Sequence, residues 1–272
     1  MLDGAAVQPC KLQVAAAFSR AADTYDSVAD LQRAVGARLL SLIPEHLSVE
    51  LQGSTAVQHW MDLGCGTGYF CEQLQQRWPA AQGMGLDLAS GMLKVARERC
   101  PTLHYICADA EQLPLPDNSQ DLIFSSLAVQ WCSDFSRVLS EIKRVLKPGG
   151  MLLFSSVAEG SLEELRSSWR AVDEARHVNS FRPLSLYQDL AATSGLQVLD
   201  VHCHTHTYYY HRVRELTHEL KHLGADHVQG RGQGLVGRQR LQRLLAAYEN
   251  YRQPQGLPAT WQVVYGVLTK AC

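Results

Sequence analysis

Residues 57–70 read VQHWMDLGCGTGYF. A short apolar run holding Trp60, Met61 and Leu63 meets glycines at every second position, Gly64, Gly66 and Gly68. A helical pattern through Phe70, Leu74 and Trp78 then begins. The order is strand, tight turn and helix N-terminus, the place where an α/β sheet receives a nucleotide-like ligand. Without β-carbons the backbone can turn sharply and approach a ligand closely. Asp62 ends the strand on the crevice side. Asp87 ends the next apolar strand, GMGLDL, about twenty residues beyond the loop, where an acid can accept hydrogen bonds from ribose hydroxyls.

Two ligand classes compete for this geometry. A dinucleotide site wants G-x-G-x-x-G and a helix N-terminus facing pyrophosphate. Here the spacing is G-x-G-x-G and an acid precedes it. That acid argues against a nearby pyrophosphate and for a cationic ligand. S-adenosylmethionine carries an ammonium, a sulfonium and an adenosine, and so suits Asp62, the glycine backbone and Asp87 in turn. The pattern D-x-G-x-G-x-G with an acid after the second strand resembles the nucleotide site of class I methyltransferases. By that resemblance Asp109 and Ala110 are expected at the adenine, Leu88 against its ring, and Ser126, at the end of strand four, near the methionine part.

On either side of the loop the periodicity is regular. Lys11 to Ala22 and Leu31 to Ile43 read as amphipathic helices, with Asp23–Ser27 as a polar break holding Tyr25. Strands are predicted at Val57–Asp62, Gln82–Asp87, His104–Cys107, DLIFSS (121–126) and MLLFSSV (151–157). The intervening helices are predicted at Tyr69 to about Trp78, Gly91–Cys100 capped by Ser90, and Phe135–Leu146. Repeated βα units mean a parallel sheet with ligands at the carboxyl ends of its strands. Beyond residue 158 come helices from Gly160 to about Glu174 and at Ser185–Thr193, then a long β run, Gln197–Tyr210. Further helices at Val213–His222 and Gln239–Tyr248 precede a last strand, Trp261–Thr269. The pattern gives an α/β fold, and the resemblance to class I methyltransferases implies a Rossmann-like, mostly parallel seven-stranded sheet with flanking helices and helical lid elements. Within one domain, residues 1–56 form an N-terminal helical lid and linker, 57–158 the S-adenosylmethionine-binding core, and 159–272 the rest of the sheet with substrate- or carrier-binding insertions.

Composition sets the outer bounds. The 272 residues suffice for a sizeable core, and 46% hydrophobic with 19% charged residues is ordinary for a globular protein. No apolar run approaches the roughly 18 residues of a membrane span, and the N-terminus lacks a secretory pattern. Eight cysteines without a C-x-x-C pair indicate neither a disulfide framework nor a zinc knuckle. A cytoplasmic protein with reduced thiols is expected. His202, His204 and His206 share one strand face but have no acid partner in the pattern, so no metal is expected. A net charge of −2 gives no general reason to bind nucleic acid. The charge is uneven, however: residues 212–252 hold eight Lys/Arg against four acids, a balance of about +4 on an otherwise acidic chain.

Four further stretches narrow the resemblance: FSRAADTYDSVADLQ (18–32), SSLAVQWCSD (125–134), GSLEELRSSWRAVDE (160–174) and LKHLGADHVQGR (220–231). With RQRLQRL (238–244), they resemble the malonyl-acyl-carrier-protein O-methyltransferases of biotin synthesis. The resemblance covers nearly the whole chain from about residue 11. It implies an enzyme that methylates the free carboxylate of a malonyl thioester on acyl carrier protein, leaving S-adenosylhomocysteine. Such a carboxylate is ionised at neutral pH, so no general base is expected; positioning and exclusion of water are. Tyr25, Gln130 and Trp131 are the candidates for that role. Arg176, Arg182, Lys221, His227, Arg231, Arg238, Arg240 and Arg243 are candidates for gripping the malonyl carboxylate or the carrier. A monomer is expected, without nucleic acid or membrane partners. The alternatives are methylation of a small carboxylic acid or quinone-like acceptor, and a non-catalytic cofactor-binding scaffold.

Overall fold

A computed structural model describes residues 10–43, 57–222 and 237–272. The expectations for the linker at 47–56, for His227 and for Arg231 lie outside the described residues.

Helices α1 (Lys11–Tyr25) and α2 (Asp30–Ser41) lead into strand β1 (His59–Leu63). Helix α3 (Tyr69–Arg77), strand β2 (Gln82–Asp87), helix α4 (Ser90–Arg99), strand β3 (His104–Cys107) and strand β4 (Gln120–Ser126) follow. Then come α5 (Phe135–Val145), β5 (Leu146–Val157), α6 (Glu163–Arg170) and α7 (Leu184–Thr193). The chain ends with β6 (Gln197–Tyr210), α8 (Val213–His222), α9 (Arg238–Glu249) and β7 (Leu257–Thr269). The sheet order is β3-β2-β1-β4-β5-β7-β6; β7 pairs antiparallel with β5 and β6, and the other pairs are parallel.

Alternation along the strands builds a core on each face. Trp60, Phe124 and Leu153 enter one cluster, with Val35 and Leu39 from α2 and Leu74 from α3. Their neighbours Met61, Ile123 and Leu152 enter the other, with Val138, Leu139 and Ile142 from α5. Those three α5 side chains are fully buried, each contributing roughly 1.5–3 kcal/mol of apolar burial. Asp134 caps α5, accepting from the N–H groups of Ser136 (2.9 Å) and Arg137 (3.1 Å).

Several boundaries differ from the sequence reading. The expected break at Asp23–Ser27 begins later, because α1 continues through Tyr25 before a 3₁₀ turn at Asp26–Val28. Ser90 is not a cap: the residue before α4 is Ala89, and no side chain caps it. The helix expected from Gly160 starts at Glu163, since Leu162 is left-handed at φ 55° and cannot extend it backwards. It also ends at Arg170 rather than near Glu174.

Candidate active site

The sheet order reverses between β1 and β4, and the crevice at that switch point opens above the carboxyl ends of the strands. A cavity of about 820 Å³ lies there. Its walls come from the end of β1 (Leu63, Gly64, Gly66), β2 (Leu86 to Ala89), β3 (Ala108 to Ala110) and β4 (Ser126 to Val129), with α1 above.

The three glycines serve three different ends. All are left-handed, with φ of 77°, 53° and 78° for Gly64, Gly66 and Gly68. A β-carbon on Gly64 would lie 2.2 Å from the Ala128 side chain, and one on Gly68 would press on the Ala96 backbone of α4 at 3.1 Å. One on Gly66 would meet nothing within 4 Å, because it would project into open space. Gly64 and Gly68 therefore close the packing of the loop, while Gly66 leaves room.

Asp87 stands at the centre of the wall. Its carboxylate accepts from Gly66 N–H at 2.9 Å and Ala89 N–H at 2.7 Å, so one side chain ties the glycine loop to the end of β2. Burial raises its pKa, partly offset by these N–H donors. Leu88, Asp109, Ala110 and Ser126 line the same cavity, as expected. Asp62 does not. It faces α3, is 2% exposed and accepts from the Cys71 thiol at 3.4 Å. Burial, with Asp87 adding to it and the Cys71 hydrogen bond opposing, pushes its carboxyl up to about 7. The expected direct contact of Asp62 with a cationic ligand is replaced by a place behind the loop. Gly68 likewise lies outside the cavity wall.

Helix α1 closes the top and is fastened at both ends. Lys11 Nζ lies 2.6 Å from Asp109 Oδ2 and 2.8 Å from Glu111 Oε2. Burial would lower the Lys11 pKa, but these two carboxylates outweigh it and hold it above its usual value. Just past the other end, Asp26 accepts from Thr67 Oγ1 (2.8 Å) and Arg99 Nη2 (2.5 Å).

A second cavity, about 1030 Å³, adjoins the first. Phe18, Tyr25, Leu127 and Trp131 line both. Trp131 meets Phe18 edge-on at 5.4 Å. Burial, together with the charges of Asp87 and Asp26, pushes the Tyr25 hydroxyl pKa well up, so it stays a neutral donor. Leu127 is left-handed at φ 51° and held by Ser155, whose side-chain and main-chain oxygens both accept from its N–H at 3.1 Å. Gln130 lines the second cavity and donates to the Leu127 carbonyl at 2.5 Å. Tyr25, Gln130 and Trp131 thus come together on the walls of the second cavity.

Among the described residues the predicted cationic grip does not assemble there. Arg176 is exposed beside a separate surface depression. Arg182 donates to the carbonyls of Cys132 (2.6 Å) and Ser133 (3.2 Å), bracing the loop after β4. Lys221, Arg238, Arg240 and Arg243 are exposed on α8 and α9. Neither Arg nor Lys is among the described residues lining the second cavity. Lys11, Phe18, Gln32 and His177 line these walls without a signal in the sequence that singles them out; Phe18 reads there as part of an ordinary amphipathic face. His202 and His206 have partners in Asp200 (2.8 Å) and Tyr265 (2.9 Å). No group of three His, Cys, Asp or Glu that could hold a metal forms among the described residues.

Comparison with known proteins gives the following. Residues 61–154 match the family described as a methyltransferase domain. A malonyl-[acyl-carrier protein] O-methyltransferase from Serratia marcescens is 45% identical over 259 residues, covering 95% of each chain. The biotin biosynthesis bifunctional protein BioHC of Cellvibrio japonicus is also 45% identical, over 96% of this chain, which spans about half (50%) of that protein's length. Among solved structures, the YcgJ protein of Bacillus subtilis superposes with a TM-score of 0.56 at 20% identity, covering 83% of this chain and 97% of that one. That likeness is one of fold.

Proposed function

The chain belongs to the malonyl-[acyl-carrier protein] O-methyltransferases, and from that premise we propose that it methylates the free carboxylate of a malonyl thioester borne by acyl carrier protein, in biotin synthesis. The residues of the first cavity fit S-adenosylmethionine. Asp87 offers a carboxylate to the ribose hydroxyls and Leu88 an apolar face to the adenine. Asp109 and Ala110 would hold the base's edge, and the open space at Gly66 would admit the methionine part. When bound, the cofactor supplies a methyl group on a positively charged sulfur.

The protein's share of the chemistry is placement. A carboxylate already ionised at neutral pH needs no proton removed, and the shared wall carries no acid–base pair. Phe18, Leu127 and Trp131 surround the junction with apolar surface that excludes water, which strengthens the attraction between carboxylate and sulfonium before their charges fade together. Tyr25 brings a neutral hydroxyl to the same junction. The observation that carries the reading is the abutment of the two cavities at these shared side chains.

The test is transfer of labelled methyl from S-adenosylmethionine to purified malonyl-carrier protein, with acetyl-carrier protein and malonyl-coenzyme A as controls. Label is expected on malonyl-carrier protein and to be released by mild alkali, as an ester. Transfer to small acids in preference would change the acceptor, and cofactor binding without transfer would leave a scaffold.

A further inference from the structure

The second cavity poses a problem of charge. On the reading above, the acceptor carries a carboxylate into a chamber whose described walls hold no Lys, Arg, Asp or Glu. Their one basic side chain is His177. Its side chain is 8% exposed, its ring lies flat on Trp169 at 3.6 Å and 11°, and its Nε2 is 2.7 Å from Asp173 Oδ1. The other carboxylate oxygen of Asp173 faces Arg240 Nε at 3.5 Å. His177 Nδ1 is buried and has no hydrogen-bond partner among the described residues. On α2, Gln32 also lines this cavity, and its Oε1 is buried and unpartnered too. An unpaired buried polar atom is unfavourable unless a ligand completes it. Two residues that line this one cavity carry such atoms, a setting that a hydrogen-bonding ligand would complete.

We infer that His177 is the residue that recognises the acceptor's carboxylate, and so sets specificity for an anionic over a neutral acyl group. The inference rests on the malonyl reading and deepens it. In the proposed complex Asp173 fixes the ring through Nε2, and a proton taken up at the unpartnered Nδ1 as the acid binds lets that atom donate to one carboxylate oxygen while the other faces the junction. Charge-assisted donors of this kind are short and strong. Trp169 lies flat against the ring and fixes its plane. A lone arginine in this wall would bind the carboxylate too tightly in its ground state to help the transfer.

The experiment compares malonyl-carrier protein (KM) with acetyl-carrier protein (Ki as a competitor) in the full chain and its variants. His177→Ala is expected to raise KM for malonyl-carrier protein roughly 10- to 100-fold. The acetyl-carrier Ki and the cofactor Kd should stay as they are. His177→Gln, which keeps a side-chain N–H, should recover part of the loss, and Asp173→Asn should shift KM in the same direction. If His177→Ala melts early, the Gln variant carries the comparison alone. Equal loss for malonyl- and acetyl-carrier protein, or no loss for either, would overturn the inference. A wild type that does not prefer malonyl to acetyl would instead overturn the proposed function, whatever His177 does.

Discussion

Asp62, buried, and Asp87, half-buried, both stand beside the glycine loop, and their surroundings give them different work. Asp87 faces the cavity with two backbone donors already on it. Asp87→Ala is expected to weaken S-adenosylmethionine binding by one to two decades, the loss of roughly 1.5–3 kcal/mol carried by a charge-assisted hydrogen bond. Titration calorimetry on a variant with an unchanged melt decides it; an unaltered Kd would remove Asp87 from the site. Asp62 faces inward, and its folded pKa of about 7 stands above the ordinary 3.8. The folded protein therefore holds this proton more tightly than the unfolded chain. The group's favourable contribution is complete below the ordinary value and is lost as pH rises through about 7. Asp62→Asn should accordingly gain in Tm relative to wild type between pH 5 and pH 8. A constant difference across that range would contradict the assignment. The glycines, Asp87 and Asp109 were legible because left-handed backbone and strand-end acids tie residue type to geometry. The left-handed turn at Leu127 was not: a leucine with positive φ leaves no trace in composition or period. Nor was His177, whose meaning depends on an acid four residues away in a segment that is not helical.

The repeated βα units were legible end to end, since strand alternation and the helical apolar stripe come from local chemistry. Boundaries slipped where tertiary contacts overrode it. Asp23 and Thr24 read as a break, yet α1 runs on through them, and the Asp26 just beyond it is tied to Thr67 and Arg99. Those ties give α1 its proposed role as a lid. Lys11 fastens one end to Asp109 and Glu111 and Asp26 ties the other to Thr67 and Arg99, so on the proposed function the helix should cover the cofactor while both hold. Each pair is partly exposed and worth little alone, roughly 0.2–1 kcal/mol. Lys11→Ala combined with Asp26→Ala should speed cofactor dissociation about two- to tenfold in stopped-flow measurements. The sheet, which neither side chain enters, should keep its melt. An unchanged dissociation rate would mean that α1 packs on the core without gating it.

Charge is divided across the whole molecule: residues 212–252 carry eight Lys/Arg against four acids on a chain of net −2. The fold gives that division a position. Helix α9 buries Leu244 and Tyr248 and packs against α6, whose Leu165 and Trp169 line the acceptor cavity. Thr217 and Leu220 of α8 line it as well. The exposed Arg238, Arg240 and Arg243 therefore sit on the outer side of the elements that form the chamber, where an acidic carrier protein could dock and pass its thioester arm inward. Exposed pairs are weak singly, so one substitution should show little. Arg240 also faces Asp173, and changing it alone would confuse docking with the setting of His177. Reversing all three arginines to Glu should raise KM for malonyl-carrier protein and leave the cofactor Kd unchanged. Arg238→Glu with Arg243→Glu, sparing Arg240, should give a smaller rise in the same direction. Turnover of a short malonyl thioester, which needs no docking face, separates the two effects: the double variant should leave it alone. Added salt should weaken wild-type use of the carrier, since the Debye length falls to about 3 Å at 1 M. If carrier KM ignores both the reversals and salt, α9 is a solvated face and the carrier enters from another side of the chamber.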